Sequence, residues 1–247
     1  MIKNLCLVVN TTTKNRDLWD IFFDSLDKYF SIVKTYVVVD KTDYKFPHNC
    51  QILNYNNEDK FRTQFLSCIG DVKEEYCIFI SEDYILYDIP NNELLKEYAD
   101  ILDKHRYLSF IRLLRGMSFG EPNFDGHNDL YELSNVFPYF YSQSATLWRT
   151  KHLEAIFFNG PDLHIGGTEE NKQFEIAANE VCQQLNMKGL YCYHGEPKRG
   201  IYHYDSIVFP HIATAIVKGK WNLSEYREEL IPLLEKYNID ISIRGEC

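Results

Sequence analysis

The run Tyr76–Ser81, YCIFIS, constrains this chain more than any other stretch. Its apolar residues follow one another without polar alternation, the pattern of a strand covered on both faces, and two acids, Glu82 and Asp83, come directly after it. Leu5–Val9 is a second such run, and Thr35–Val39 is a β-branched one that ends at Asp40. Gln51–Leu53 predicts a short further strand. Between these runs Leu18, Ile21, Phe22, Ser25, Leu26, Tyr29 and Phe30 fall on one helical stripe, as do Phe61, Phe65, Leu66 and Ile69. Leu94, Leu95, Tyr98, Ile101 and Leu102 form a third stripe, opened by Pro90 and Asn91–Asn92, and Tyr107–Leu113 returns as a strand. This order predicts an α/β fold: a central, mostly parallel, doubly wound sheet with right-handed crossovers and flanking helices.

After about residue 114 the pattern is more mixed. Residues 116–128 read as loop, Leu130–Leu133 and Tyr139–Trp148 as strands, and Lys151–Phe158 as a short helix. Gly166–Gly167–Thr168 leads into a helix with Phe174, Ala177, Ala178, Val181 and Leu185 on one face. Leu190–His194 is strand-like, and His203–Trp221 carries no clear period. Asn222 is placed to cap a last helix through Tyr237, with Glu225 three residues on. No repeat and no linker divides the 247 residues, which predicts a single domain over 1–247.

Charge and cysteine usage narrow the function classes. Lys and Arg number 26 against 36 Asp and Glu, a net charge of −10, and no basic run occurs. That excludes a chain built to grip nucleic-acid phosphates, so any anionic ligand must meet a few placed cations, a helix N-terminus or a metal. The seven cysteines are odd in number and form no CxxC, and Cys6 and Cys77 lie inside apolar runs, as reduced buried thiols do. No apolar stretch approaches the roughly 20 residues of a membrane span, and the first ten residues lack a secretory core. The expectation is a cytoplasmic protein with no membrane span.

In open α/β sheets, ligands sit outside the carboxyl ends of the strands. Those ends here carry Asn10–Thr11–Thr12–Thr13–Lys14, Asp40, and Ser81–Glu82–Asp83–Tyr84. Strand ends are polar on any surface, yet two adjacent acids abutting a buried strand offer oxygen ligands for Mg²⁺ or Mn²⁺ beside a substrate phosphate. The turn after the first strand has no glycine and GxxxxGK[ST] is absent, which disfavours dinucleotide-dependent redox chemistry and P-loop phosphoryl transfer.

The segment Phe61–Asp88 resembles the helix-strand-acid segment of GT-A glycosyltransferases, a Rossmann-like fold, in particular a group of small sugar transferases reading EDY or DDY at the acid motif. The segments SQSATLWRTKHLEAIFF, GGTEENKQFE and VKGKW are similar to later parts of the same group. Ser81 stands where the first aspartate of the DxD motif would be, and Asp83 matches its last acid.

The resemblance implies a single GT-A-like domain, with a nucleotide-sugar half over 1–114 and an acceptor half over 115–247. It implies an inverting, metal-assisted transfer of a sugar from a nucleotide-diphosphate sugar to a glycan, glycoconjugate or other hydroxyl acceptor. Thr11 and Asp40 are then expected at the nucleoside, Arg62 at the diphosphate, and Ser81, Glu82 and Asp83 at the donor, with Asp83 and His203 as ligands of Mn²⁺ or Mg²⁺. Glu170 is the first candidate for the base that takes the acceptor proton, with Glu169 beside it and Glu175 in reserve; acids in a first helical turn also simply favour the helix dipole. Lys198, Arg199, Lys218 and Lys220 are candidates to close over the phosphates. The aromatic clusters Phe137–Tyr141 and Tyr191–Tyr193 are candidate sugar-stacking surfaces or plain core. Two other readings stand beside this one: a nucleotidyltransferase that makes a sugar nucleotide, and a non-catalytic module that keeps the fold for binding.

Overall fold

The computed structural model describes residues 4–117, 122–163, 168–200 and 202–247, with backbone alone for 168–172. Strands β1 (Leu5–Asn10), β2 (Lys34–Asp40), β3 (Cys50–Tyr55) and β4 (Tyr76–Ser81) pair in parallel in the order β3-β2-β1-β4. The apolar runs are fully buried, as strands covered on both faces must be. A two-residue strand β5 (Ile85–Leu86) follows β4 closely, and β6 (Leu108–Arg112), β7 (Leu130–Leu133), β8 (Thr146–Arg149) and β9 (Lys188–Cys192) extend the main sheet to β3-β2-β1-β4-β8-β6-β9-β7. Six of these eight strands run one way. β8, between β4 and β6, and β7, at the edge, run against them.

Strand alternation sorts the core into two layers. Leu7, Val9, Ile78, Ile80 and Ile111 face helices α1 (Trp19–Phe30) and α3 (Asn92–Lys104). Val8, Cys77, Phe79, Phe110 and Trp148 face α2 (Phe61–Ile69), α4 (Thr150–Asn159) and α5 (Thr168–Gln184). Phe65 stacks on Phe157 with ring centroids 3.9 Å apart, which locks α2 against α4. A third cluster packs the outer face of α1 against α6 (Leu223–Lys236) through Ile21, Ile85, Trp221 and Tyr226. The crossover from β2 to β3 has no helix; its aromatic residues Tyr44 and Phe46 pack on Trp19 and Phe23 and do a helix's work of covering α1.

Several expectations need correction. Tyr139–Trp148 is a strand only from Thr146; the residues before it have their backbone groups taken by side chains instead of a ladder. Arg112 donates to the carbonyls of Tyr139 and Phe140, Asn179 accepts from the Tyr141 N–H, and Glu175 accepts from the Gln143 N–H. Asn222 does not cap α6 through its side chain; its amide bonds the Glu225 carboxylate and its oxygen accepts from the Ser224 hydroxyl. Asn91 does cap α3, accepting from the N–H groups of Glu93 and Leu94. The stretch 203–221 resolves into short ribbons: β11 (His203–Tyr204) pairs with β10 (Lys198–Arg199), β12 (His211–Ile212) with β5, and β13 (Ile216–Val217) with β14 (Lys220–Trp221). Residues Ile241–Arg244 form a short α7 beside β14. Among the described residues, no helix is long and apolar enough to cross a membrane.

Candidate functional site

A cleft of about 540 Å³ opens at the carboxyl ends of β1, β3 and β4. Strand parity aims it: Asn10, Tyr55 and Ser81 project from the same sheet face, the one that α2 covers lower down. Phe61 and Gln64, three apart on α2, complete one wall, while Gln143 from the segment before β8 forms another. The β13–β14 turn contributes Lys218 and Gly219, both with positive φ, and α7 contributes Arg244. A two-residue connection of this kind needs that left-handed backbone, which glycine adopts freely.

Thr11 and Ser81–Glu82–Asp83 line the cleft as expected. Thr11 is fixed by three bonds: its N–H donates to the Val38 carbonyl at 2.9 Å, its hydroxyl oxygen accepts from the Trp19 indole at 2.8 Å, and its carbonyl accepts from the Tyr55 hydroxyl at 3.0 Å. Glu82 is buried and accepts from the Asn15 amide. Burial pushes its carboxyl up to about 7, against the hydrogen bonds that favour its charge. Burial and then the neighbouring Glu82 charge push Asp83 up as well. Two desolvated carboxylates side by side form a site short of positive charge.

The Arg244 guanidinium lies in the cleft wall and favours the charge of both acids. It grips both carboxylate oxygens of Asp17, at 2.5 and 2.6 Å, and reaches the Asn15 side-chain oxygen at 3.2 Å, so Asp17, Arg244, Asn15 and Glu82 form one network. Ser81, Glu82 and Asp83 carry oxygen donors of the kind that a hard divalent cation takes beside phosphate and water. Among the described residues no three His, Cys, Asp or Glu side chains converge as a self-sufficient ligand set.

Other expected residues fall elsewhere. Asp40 does not line the cleft. Its carboxylate is spent on the Thr13 N–H at 2.7 Å, the Thr13 hydroxyl and the Asn57 amide at 2.9 Å, and although burial opposes its charge, these bonds hold its carboxyl below the usual range. It shapes the loop that carries Thr11 and Lys14 and orients Asn57, which is itself in the cleft wall. Arg62 also points away, donating to the Phe158 carbonyl at the end of α4 at 2.8 Å, because helical spacing turns it off the face that Phe61 and Gln64 share. His203 stacks on Tyr226 and bonds its hydroxyl, outside the cleft wall, and burial lowers its pKa.

Of the later cations, Lys218 lines the cleft, whereas Arg199 is paired with Asp205 and Glu229. Lys198 and Lys220 are exposed and outside the cleft wall. The Glu169 and Glu170 side chains, with Gly166 and Gly167, lie outside the described residues. Glu175 backs the cleft: its carboxylate accepts the Gln143 N–H at 2.8 Å, and burial raises its pKa while Arg112 opposes the rise. Sequence reasoning missed Arg244, Asn15 and Gln143. Arg244 lies far along the chain from the strand ends, Asn15 carries no motif, and Gln143 lies in the SQSATLWRT segment with no role of its own marked there.

The fold and cleft together define an α/β protein with a polar cleft at the carboxyl edge of its sheet. Among solved structures, the chain is similar to S. aureus TarS, with a TM-score of 0.48 and 16% identity over 82% of this chain and 36% of that one. It is therefore matched to about a third of the TarS length. It is also similar to UDP-glucose pyrophosphorylase complexed with UDP-glucose, with a TM-score of 0.47 and 10% identity over 78% of this chain and 90% of that one. For CMP:2-keto-3-deoxy-manno-octonic acid synthetase complexed with CTP the TM-score is 0.44 and the identity 10%, over 76% of this chain and 88% of that one. No protein-family model and no curated protein matches the chain.

Proposed function

We propose that the chain is a glycosyltransferase that takes a nucleotide-diphosphate sugar and passes the sugar to a hydroxyl of a glycan or glycoconjugate. The observation that carries the reading is the meeting, in one cleft, of Thr11, Ser81, Glu82 and Asp83 at the strand ends with Lys14, Lys218 and Arg244 around them. Carboxylates that need a cation, flanked by cations that suit phosphate, make a fitting surroundings for a metal-diphosphate group.

In this reading the nucleoside lies along Tyr55, Asn57 and Gln64, and the diphosphate lies towards Lys218 and Arg244. Asp83, with Ser81 and Glu82, would hold Mn²⁺ or Mg²⁺; bound there, the ion supplies charge against the phosphates of the leaving nucleoside diphosphate. Arg244 and Lys218 stabilise that same leaving group. Glu170, with Glu169 beside it and Glu175 behind Gln143, is the base candidate for an inverting transfer. It accepts the proton of the acceptor hydroxyl as the oxygen attacks the anomeric carbon. Residues 1–114 then supply most of the donor cleft, joined by Gln143, Lys218, Gly219 and Arg244 from the second half, and the rest of 115–247 serves the acceptor.

The test is incubation with UDP-, GDP- and dTDP-sugars and Mn²⁺, reading released nucleoside diphosphate. Slow nucleotide release without acceptor, lost in Asp83→Asn, is the expected result. Pyrophosphate release from a nucleoside triphosphate and a sugar phosphate would instead identify a nucleotidyltransferase. Nucleotide binding with neither reaction would identify a binding module.

A further inference from the structure

The carboxyl edge of the sheet continues past the cleft, and what lies there is aromatic. The register runs as one row across the strands, from Phe79 to Thr146, Arg112, Tyr191 and Tyr131, on the same sheet face as Asn10 and Ser81. Tyr191 is buried, and Tyr131 lies flat on it with centroids 5.1 Å apart and an angle of 15°, so the outer ring is half-exposed and held in place. Two residues beyond Tyr191, Tyr193 and Tyr204 are also half-exposed, and the Arg115 guanidinium stands 4.5 and 4.8 Å from their ring centroids. From β4 to the Tyr191–Tyr131 pair is three to four strand spacings, about 14–19 Å. That reach suits a chain of sugar units better than a single ring.

Building on the glycosyltransferase reading, we infer that Tyr131, Tyr193 and Tyr204 form a saccharide-binding platform that receives the acceptor. Packing alone explains Tyr191, which has no exposed ring. Tyr131 and Tyr193 also pack partly on the core, yet each keeps accessible ring, as does Tyr204, and a stacked ring, an edge contact between Tyr193 and Tyr204 and a cation hold the three in place. Rigid tyrosines give contact area at low entropic cost, and their flat faces match the C–H face of a pyranose while the hydroxyls stay wet. The acidic chain and the absence of a basic run argue against nucleic-acid bases as the stacked group.

The experiment measures binding of the chain, without nucleotide, to immobilised glucose-, galactose-, N-acetylglucosamine- and glucuronate-terminated oligosaccharides, both free-chain and lipid-linked. Binding to one terminal class is expected, and the two presentations separate a soluble from a lipid-borne acceptor. Tyr131→Ala and Tyr204→Ala should weaken it by about tenfold or more, and Tyr131→Phe should retain it. Nucleotide affinity should be unchanged in all three, which also reports that each variant is folded. In the unsubstituted protein the bound saccharide should protect Tyr131 and Tyr204 from nitration by tetranitromethane. No binding to any saccharide, alanine variants that bind like the parent, or unprotected tyrosines would overturn the platform. Saccharide binding that is lost as expected in a chain that binds no nucleotide would overturn the transferase reading and leave the platform standing.

Discussion

Glu82 gives the sharpest physical prediction. Its carboxyl is buried, and desolvation lifts it from an ordinary 4.5 to about 7 in the folded chain. Between those values the folded state holds a proton that the unfolded state releases, so stability falls as pH rises through the window. At about 1.4 kcal/mol per pH unit, the gap amounts to about 3 kcal/mol lost between pH 4.5 and pH 7. Glu82→Gln keeps an oxygen for the Asn15 amide and removes the titration. In EDTA, the variant and parent should therefore unfold at similar temperatures at pH 5. At pH 8 the variant should be the more stable, by about 3 kcal/mol or roughly 6–12 °C for a chain of this size. Thermal unfolding followed by circular dichroism at pH 5, 6, 7 and 8 measures this directly. A constant difference between the two proteins across that range would refute the reasoning.

Other outcomes follow from the same geometry. Because the carboxylate pair lacks positive charge, Mn²⁺ should raise the parent's unfolding midpoint at pH 8 more than at pH 5, and Asp83→Asn should abolish that increment. Arg244→Gln should weaken binding of a nucleoside diphosphate about tenfold while changing binding of the nucleoside little, read by calorimetry. Gly189→Ala should destabilise the fold by about 1–3 kcal/mol in chemical denaturation, because a Cβ there would enter the Phe110 ring in an adjacent strand.

Much of the architecture was legible because burial leaves a mark on composition. YCIFIS and Leu5–Val9 could only be strands covered on both faces, and the stripes of α1, α2 and α3 follow from their spacing. The antiparallel β8 was not legible. TLWR carries no direction, and only the pinning of 139–143 by Arg112, Asn179 and Glu175 shows where the strand begins. For the cleft, the strand-end rule found Thr11 and Ser81–Glu82–Asp83, since those residues are fixed by chain continuity. It could not separate Asp40, whose oxygens are consumed by Thr13 and Asn57, from an acid that faces a ligand. Nor could it find Arg244, which reaches the cleft only because α7 sits beside β14 and Asp17 holds the guanidinium.

The measurement that bears most directly on the central claim is calorimetric titration with UDP, GDP, CDP and dTDP, each with Mn²⁺ and with EDTA, on the parent and on Asp83→Asn. One nucleotide should bind the parent, more tightly with Mn²⁺, and the variant should lose the Mn²⁺ increment. Failure of every nucleotide to bind the parent with Mn²⁺ present would contradict the assignment of this cleft to a nucleotide-diphosphate sugar.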